Sequence, residues 1–283
     1  MIGKSIGEKR FAGKVALVTG GGKGIGRETA RELGRRGAAV HICGRDAGPL
    51  AAAAASFAAE GIKAGFSVAD VRDPKACERL VGEVESKYGR MDMLVNNAGM
   101  SMRGFLEETD PSVMAAMAEI NFLGAAYMAK YSIPALRKSQ GSVVFVSSLT
   151  ALHGLPQVGP YGASKAALKA LAESLRIELR PSRVHVGIVH VGFTENDPDK
   201  KVYARDGSLA PIGERRNSQT QAQVARSIVG LIEARRREST LTGLGKLAHV
   251  VYRLFPGAVD WILGRYVRES GQFGSVNADK PKG

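Results

Sequence analysis

The chain is poor in several kinds of residue, and each shortage removes a class of protein. Among 283 residues there are two cysteines, Cys43 and Cys77. Two thiols cannot build a disulfide framework, and their scarcity fits a reducing interior. Aromatic residues make up 6%, with a single tryptophan. No zinc-finger or RRM signature accompanies the formal charge of +13. Nucleic acid therefore ranks last among partners of a basic chain, behind an anionic substrate or surface. No apolar run reads as long enough to span a bilayer, and the basic segment 1–13 has no apolar core of signal-peptide length. A cytoplasmic location is expected, with peripheral membrane contact as the lesser alternative. No metal is expected.

What is present is a regular alternation. Hydrophobic residues make up 44%, enough for a full core. Apolar runs of strand length begin at Val15, Ala38, Ile62, Met91, Gly141 and Arg183. Helical stretches separate them, two opened by the cap pairs Asp73–Pro74 and Asp110–Pro111. Strands alternating with helices predict a single-domain α/β fold: a doubly wound, Rossmann-like parallel sheet with helices on both faces. No repeat or linker divides the chain. The expected plan is an extension over 1–13, a catalytic domain over 14–243 and a tail over 244–283.

Ligands of such sheets lie beyond the carboxyl ends of the strands, where the chemically distinctive residues fall. The first strand runs into Gly20, Gly24 and Gly26, spaced G-x-x-x-G-x-G. Glycine permits the positive φ that a sharp turn requires, and the helix that follows offers its N-terminus to a phosphate. Tyr161 and Lys165 stand four apart near a helix start and so share a face. A neighbouring ammonium favours phenolate, which equips a tyrosine to exchange a proton with a carbonyl or alcohol oxygen.

These residues identify the chain as resembling the short-chain dehydrogenase/reductase family from Lys14 to about Gly192. Thr19–Gly26 is similar to its TGxxxGIG loop and Asn96–Gly99 to its NNAG segment. Asn121 matches its helix asparagine, Ser148 its serine, and Tyr161 with Lys165 its YxxxK pair. The resemblance implies that Tyr161 is the acid/base and that Lys165 holds the nicotinamide ribose and lowers the tyrosine pKa. It implies that Ser148 bonds the reacting oxygen and that Asn121 holds a water in the proton path. Ser147 is the rival serine, but strand alternation turns it to the other face. Thr19, Gly20, Lys23, Gly24, Ile25, Gly26, Asn97, Ala98 and Gly99 are then cofactor-binding, and Asp70 and Val71 are the adenine contacts. Gly192 and Thr194 would approach the carboxamide, although Val191 stands where the family usually has proline.

Cofactor choice follows from charge. The second strand ends Cys43–Gly44–Arg45, with no acid before Asp46. Arg45 and Lys23 could clamp a 2′-phosphate, which favours NADP(H); the alternative is Asp46 on a ribose hydroxyl. The expected activity is reduction of a ketone or aldehyde, or oxidation of the secondary alcohol, of a lipophilic small molecule. A 3-oxoacyl thioester reductase and a non-enzymatic NADPH-sensing or scaffold protein are the alternatives. Residues 195–219 are expected to form a substrate lid. The tail reads as two short amphipathic helices around Pro256 and Gly257, covering the cleft or the interface of a dimer or tetramer. Contact with a membrane surface is the less favoured reading.

Overall fold

Strand β1, Val15–Thr19, is buried along its whole length, as a strand covered on both faces must be. The computed structural model describes residues 10–212, 218–241 and 250–270. After β1 come α1 (Gly24–Arg35), β2 (Ala39–Gly44), α2 (Ala47–Ala59), β3 (Ala64–Val68), α3 (Pro74–Tyr88) and β4 (Met93–Asn96). Then follow α4 (Pro111–Ala118), α5 (Gly124–Ser139), β5 (Ser142–Ser148), α6 (Gly159–Glu178) and β6 (His185–Val191). The order closes with β7 (Lys201–Tyr203), β8 (Leu209–Pro211), α7 (Gln221–Glu233), β9 (Glu238–Thr240) and α8 (Pro256–Ser270).

Seven strands form one sheet in the order β3-β2-β1-β4-β5-β6-β9, each parallel to its neighbours. The order reverses between β1 and β4, which places a ligand crevice above their carboxyl ends. One face packs Leu80, Val84, Met128, Leu136 and Leu168 of α3, α5 and α6. The other packs Leu33, Leu50, Phe57, Ile228 and Leu231 of α1, α2 and α7. The doubly wound fold expected from the alternation is the fold observed.

Asp73 and Asp110 cap as their sequence predicts, accepting from Lys75 N and Ser112 N at 2.8 Å. Helix α6 starts at Gly159 rather than Tyr161, because Pro160 suits the first turn, where no N–H is required. Helices α4 and α5 are joined by a π turn, Glu119–Leu123. The run Pro111–Ser139 is long and apolar enough to cross a bilayer, which corrects the reading that no stretch is. Half of its most apolar window is buried within the fold, as in the core helix of a globular domain.

The expected lid holds the antiparallel hairpin β7–β8, docked where Tyr203 pairs with Met102. Residues 213–217 of that lid, 1–9 of the extension, and 244–249 and 271–283 of the tail lie outside the described residues. Residues 250–254 are helical, and α8 follows directly after Phe255.

The base of β1 depends on Asp92, whose side chain is 4% exposed. It accepts from Val15 N at 2.9 Å and from Arg90 Nε and Nη2 at 2.8 and 2.7 Å, and Lys14 Nζ lies at 3.1 Å. Burial alone would raise this carboxyl, but the Arg90, Val15 and Lys14 donors outweigh it and the net shift is downward. The unfolded chain therefore binds more protons than the folded one as pH falls below the ordinary carboxylate range. Stability present above that range is lost through the lowered value. Asp92→Asn should cost about 2 kcal/mol at pH 7 in urea unfolding. The deficit against wild type should shrink in acid; a pH-independent deficit would show that the charge contributes nothing.

Candidate active site

Above β1 and β4 two loops are sewn together by one threonine. Thr19 Oγ1 accepts from Asn97 N at 3.0 Å and Ala98 N at 2.9 Å. Asn97 Nδ2 donates back to Thr19 O and Gly20 O at 3.0 and 3.3 Å. The glycine loop is dense beneath this brace. A Cβ on Gly26 would fall 2.3 Å from Gly20 O, while Gly20 and Gly24 hold φ of +64° and +57°. Any side chain at these places would break the turn or push the two loops apart.

Helix α1 receives no side-chain cap, so the N–H groups of its first turn remain for an anion. Ile25 lies half-buried in that turn. The surroundings are basic: Lys23 and Arg45 are exposed and Arg27 is half-exposed. Asp46, the alternative ribose partner, makes no side-chain cap at α2. A phosphate-bearing dinucleotide fits this loop. In this structure the chain's own segment 197–199 lies against it. Lys23 is ion-paired with Asp199, and Asp197 Oδ2 lies 3.0 Å from where a Gly24 Cβ would stand. Asp197 is also 4.0 Å from Arg27 and accepts from Gln221 Nε2 at 3.3 Å. Nothing in local sequence pattern pointed to these two carboxylates, which lie some 170 residues from the loop they meet.

Strand β5 and helix α6 together place the acid–base group. Lys165 is 5% exposed and its Nζ donates to Val146 O at 3.0 Å. Ser147 Oγ donates to Lys165 O at 3.0 Å, so β5 clamps this lysine at both ends. Burial, aided by the charge of Lys200, pushes the Lys165 amine down to about 8. Ser148 points the other way, as alternation requires; its Oγ accepts from Thr150 N at 3.2 Å, which leaves the hydroxyl hydrogen to donate elsewhere. Tyr161 lies half-buried in the first turn of α6, packed against Met102, Val113 and Met117. The floor between these groups is Gly99, where a Cβ would meet Asn121 Oδ1 at 2.8 Å and Lys165 Nζ at 3.2 Å.

Asn121 sits fully buried in the π turn. Its Oδ1 accepts from Met100 N at 2.9 Å, and its Nδ2 donates to Met100 O and Ser164 Oγ, both at 3.0 Å. Ser164 in turn donates to Tyr161 O at 2.7 Å. The amide is thus committed to protein partners, and a water on this residue would be held by its main chain. Ser164 escaped the sequence reading, because Asn121, the side chain it accepts from, lies 43 residues away in the π turn.

The remaining expected contacts lie around this centre. Asp70 is chelated by Arg72, with Nη2–Oδ2 at 2.6 Å, and this pairing holds its carboxyl below the ordinary range. Val71 is buried under Gly124. Gly192 is half-buried, and Thr194 donates to its carbonyl at 3.3 Å. Thr194 also bridges to Gln219, so the two ends of the lid are joined. The structure gathers all these residues at the carboxyl edge of the sheet.

A Rossmann-like parallel sheet with this loop and this Ser–Tyr–Lys set defines a dinucleotide-dependent oxidoreductase. The chain belongs to the short chain dehydrogenase family, whose profile matches residues 14–207. It is 33% identical over 267 residues to 11-beta-hydroxysteroid dehydrogenase 1A of Arabidopsis thaliana, covering 91% of this chain and 76% of that one. It is 35% identical over 217 residues to L-fucose dehydrogenase of Bos taurus, covering 72% and 78%. A solved alcohol dehydrogenase from the archaeon Thermococcus sibiricus, complexed with 5-hydroxy-NADP, superposes with a TM-score of 0.71 at 26% identity, covering 81% of this chain and 95% of that one. The chain is therefore an oxidoreductase of a family that acts on alcohols and carbonyls with nicotinamide cofactors.

Asp199 holds the Lys23 ammonium, so a phosphate that used this lysine would have to displace the carboxylate. Asp199→Asn should tighten NADPH a few-fold in a fluorescence titration, with the gain fading at high salt because the pair is exposed. Unchanged affinity at low salt would show that the contact does not compete.

Proposed function

We propose that the chain is an NADPH-dependent carbonyl reductase, or the secondary-alcohol dehydrogenase of the reverse direction, acting on a lipophilic small molecule. The observation that carries this reading is the buried Lys165, one helical turn beyond Tyr161 and bonded to Val146 and Ser147 at the end of β5. When bound, the cofactor supplies the hydride-transferring nicotinamide. The chain's residues do the rest. Ser148, with its hydroxyl hydrogen available, orients the carbonyl oxygen. Tyr161 donates the proton to that oxygen on reduction and accepts it on oxidation. A phenol ordinarily titrates near ~10, and the Lys165 ammonium favours its ionised form. Lys165 spends one N–H on Val146 O and presents its other donors to a ribose. Asn121 and Ser164 act as positioning residues by fixing the first turn of α6.

Lys23 and Arg45, with Gly44 where an acid would select a ribose hydroxyl, support the phosphorylated cofactor. The 5-hydroxy-NADP in the archaeal alcohol dehydrogenase is consistent with it. For the substrate, Leu106, Phe193 and Leu209 are exposed on segments bordering the site. The hydroxysteroid named for the Arabidopsis relative fits that apolar rim better than a sugar does.

A panel of ketones, aldehydes and acyl thioesters, read by NADPH oxidation, tests the activity. On any substrate so found, Tyr161→Phe should lower turnover at least ~100-fold while NADPH still binds. Near wild-type turnover by this variant would overturn the assignment. Arg45→Ala should weaken NADPH about tenfold and leave NADH unchanged, since it removes one charge-assisted contact. Equal dissociation constants for the two cofactors in the wild type would refute the preference.

A further inference from the structure

Ser148 is the last residue of β5, and the chain leaves the sheet directly after it in a short helical turn, Leu149–Ala151. The role proposed for Ser148 needs its hydroxyl held in one direction at the point where the strand ends. Two contacts act there. Thr150 N donates to Ser148 Oγ at 3.2 Å, and the His190 ring meets Ser148 O through Nδ1 at 3.3 Å. The carbonyl of Ser148 and the N–H of Leu149 belong to one rigid peptide plane. Holding that oxygen therefore sets ψ of Ser148, and with it the turn whose Thr150 N–H meets the hydroxyl.

His190 is built to hold it. The side chain is fully buried on β6, which lies between β5 and β9 in the sheet. Its main chain is braced from the β9 side, where Thr240 stands opposite it and Leu241 N donates to His190 O at 3.3 Å. A carbonyl oxygen only accepts, so Nδ1 carries a hydrogen and donates to Ser148 O. At the other nitrogen, Glu238 Oε1 of β9 lies 3.0 Å from Nε2 but off the line of a hydrogen bond, and this carboxylate is 40% exposed to water. Burial is the largest influence on the ring, and Lys169 of α6 adds to it. Together they outweigh Glu238 and the Ser148 carbonyl and bring His190 below the ordinary histidine range. A neutral ring has one N–H to give. Water serves Glu238, and the in-line bond to Ser148 O takes the hydrogen.

We propose that His190 is a positioning residue of this site: its Nδ1–H fixes the peptide plane after Ser148 and thereby the direction of the Ser148 hydroxyl. The proposal rests on the role given to Ser148 above, and it gives His190 no contact with substrate or cofactor.

Two amides separate the ring nitrogens, because the Asn side-chain nitrogen stands in for Nδ1 and the Gln nitrogen for Nε2. Amide exchange followed by NMR on the full chain needs no substrate. Thr150 N–H should exchange about tenfold faster in His190→Gln than in the wild type, and within about threefold of it in His190→Asn. Equal Thr150 exchange in all three proteins would overturn the proposal. On any substrate found, His190→Gln should lower kcat about tenfold with the NADPH dissociation constant unchanged, while His190→Asn keeps kcat within about threefold. A kcat that falls alike in both variants, in step with their melting temperatures, would overturn it in favour of a purely structural histidine. In a Ser148→Ala background, adding His190→Gln should cost nothing further, since the two residues act as one unit; additive losses would overturn the proposal. Wild-type kcat in Ser148→Ala alone would instead refute the role of Ser148, and Thr150 exchange would still decide whether His190 holds the turn.

Discussion

A lysine ammonium held out of water is the constraint on which the centre of this molecule depends. Desolvation disfavours the charged form, and here it brings the Lys165 amine down to about 8. The amine keeps one carbonyl partner, Val146 O, and its backbone is pinned by Ser147. Gly99 must be bare because a Cβ would fall 2.8 Å from Asn121 Oδ1 and crowd Nζ at 3.2 Å. The neighbouring Asn121 is locked to Met100 and Ser164, which leaves Lys165 with donors and few acceptors. A group in that state is primed for a polar ligand, as the proposed ribose contact requires.

The same logic appears at the other end of the crevice with the sign reversed. The uncapped N-terminus of α1 and the exposed Lys23 are positive ends in want of an anion. The lid supplies Asp197 and Asp199. These carboxylates sit on a segment whose two ends are joined by the Thr194–Gln219 bridge. The lid hairpin also pairs with the segment after β4 through Tyr203 and Met102, close to the Tyr161 packing cluster. One segment therefore touches both the glycine loop and the chain after β4.

What sequence by itself determined is the part of the protein controlled by local period and local chemistry. Continuous apolar runs specify strands buried on both faces, Asp–Pro pairs start α3 and α4, and the glycine spacing requires the turn after β1. The motif residues at the carboxyl ends were legible through the family resemblance, and the opposite orientations of Ser147 and Ser148 through alternation along one strand. Contacts between distant segments were not. The pairing of Lys23 with Asp199, the commitment of the Asn121 amide to Ser164 and the burial of Lys165 arise only when crossovers bring separate elements together. The tail shows the same division. Its amphipathic pattern is written in the sequence, yet only the tertiary structure decided that Leu254, Phe255, Trp261 and Ile262 lie exposed. Periodicity reports that a helix has an apolar side, and only packing determines what that side meets.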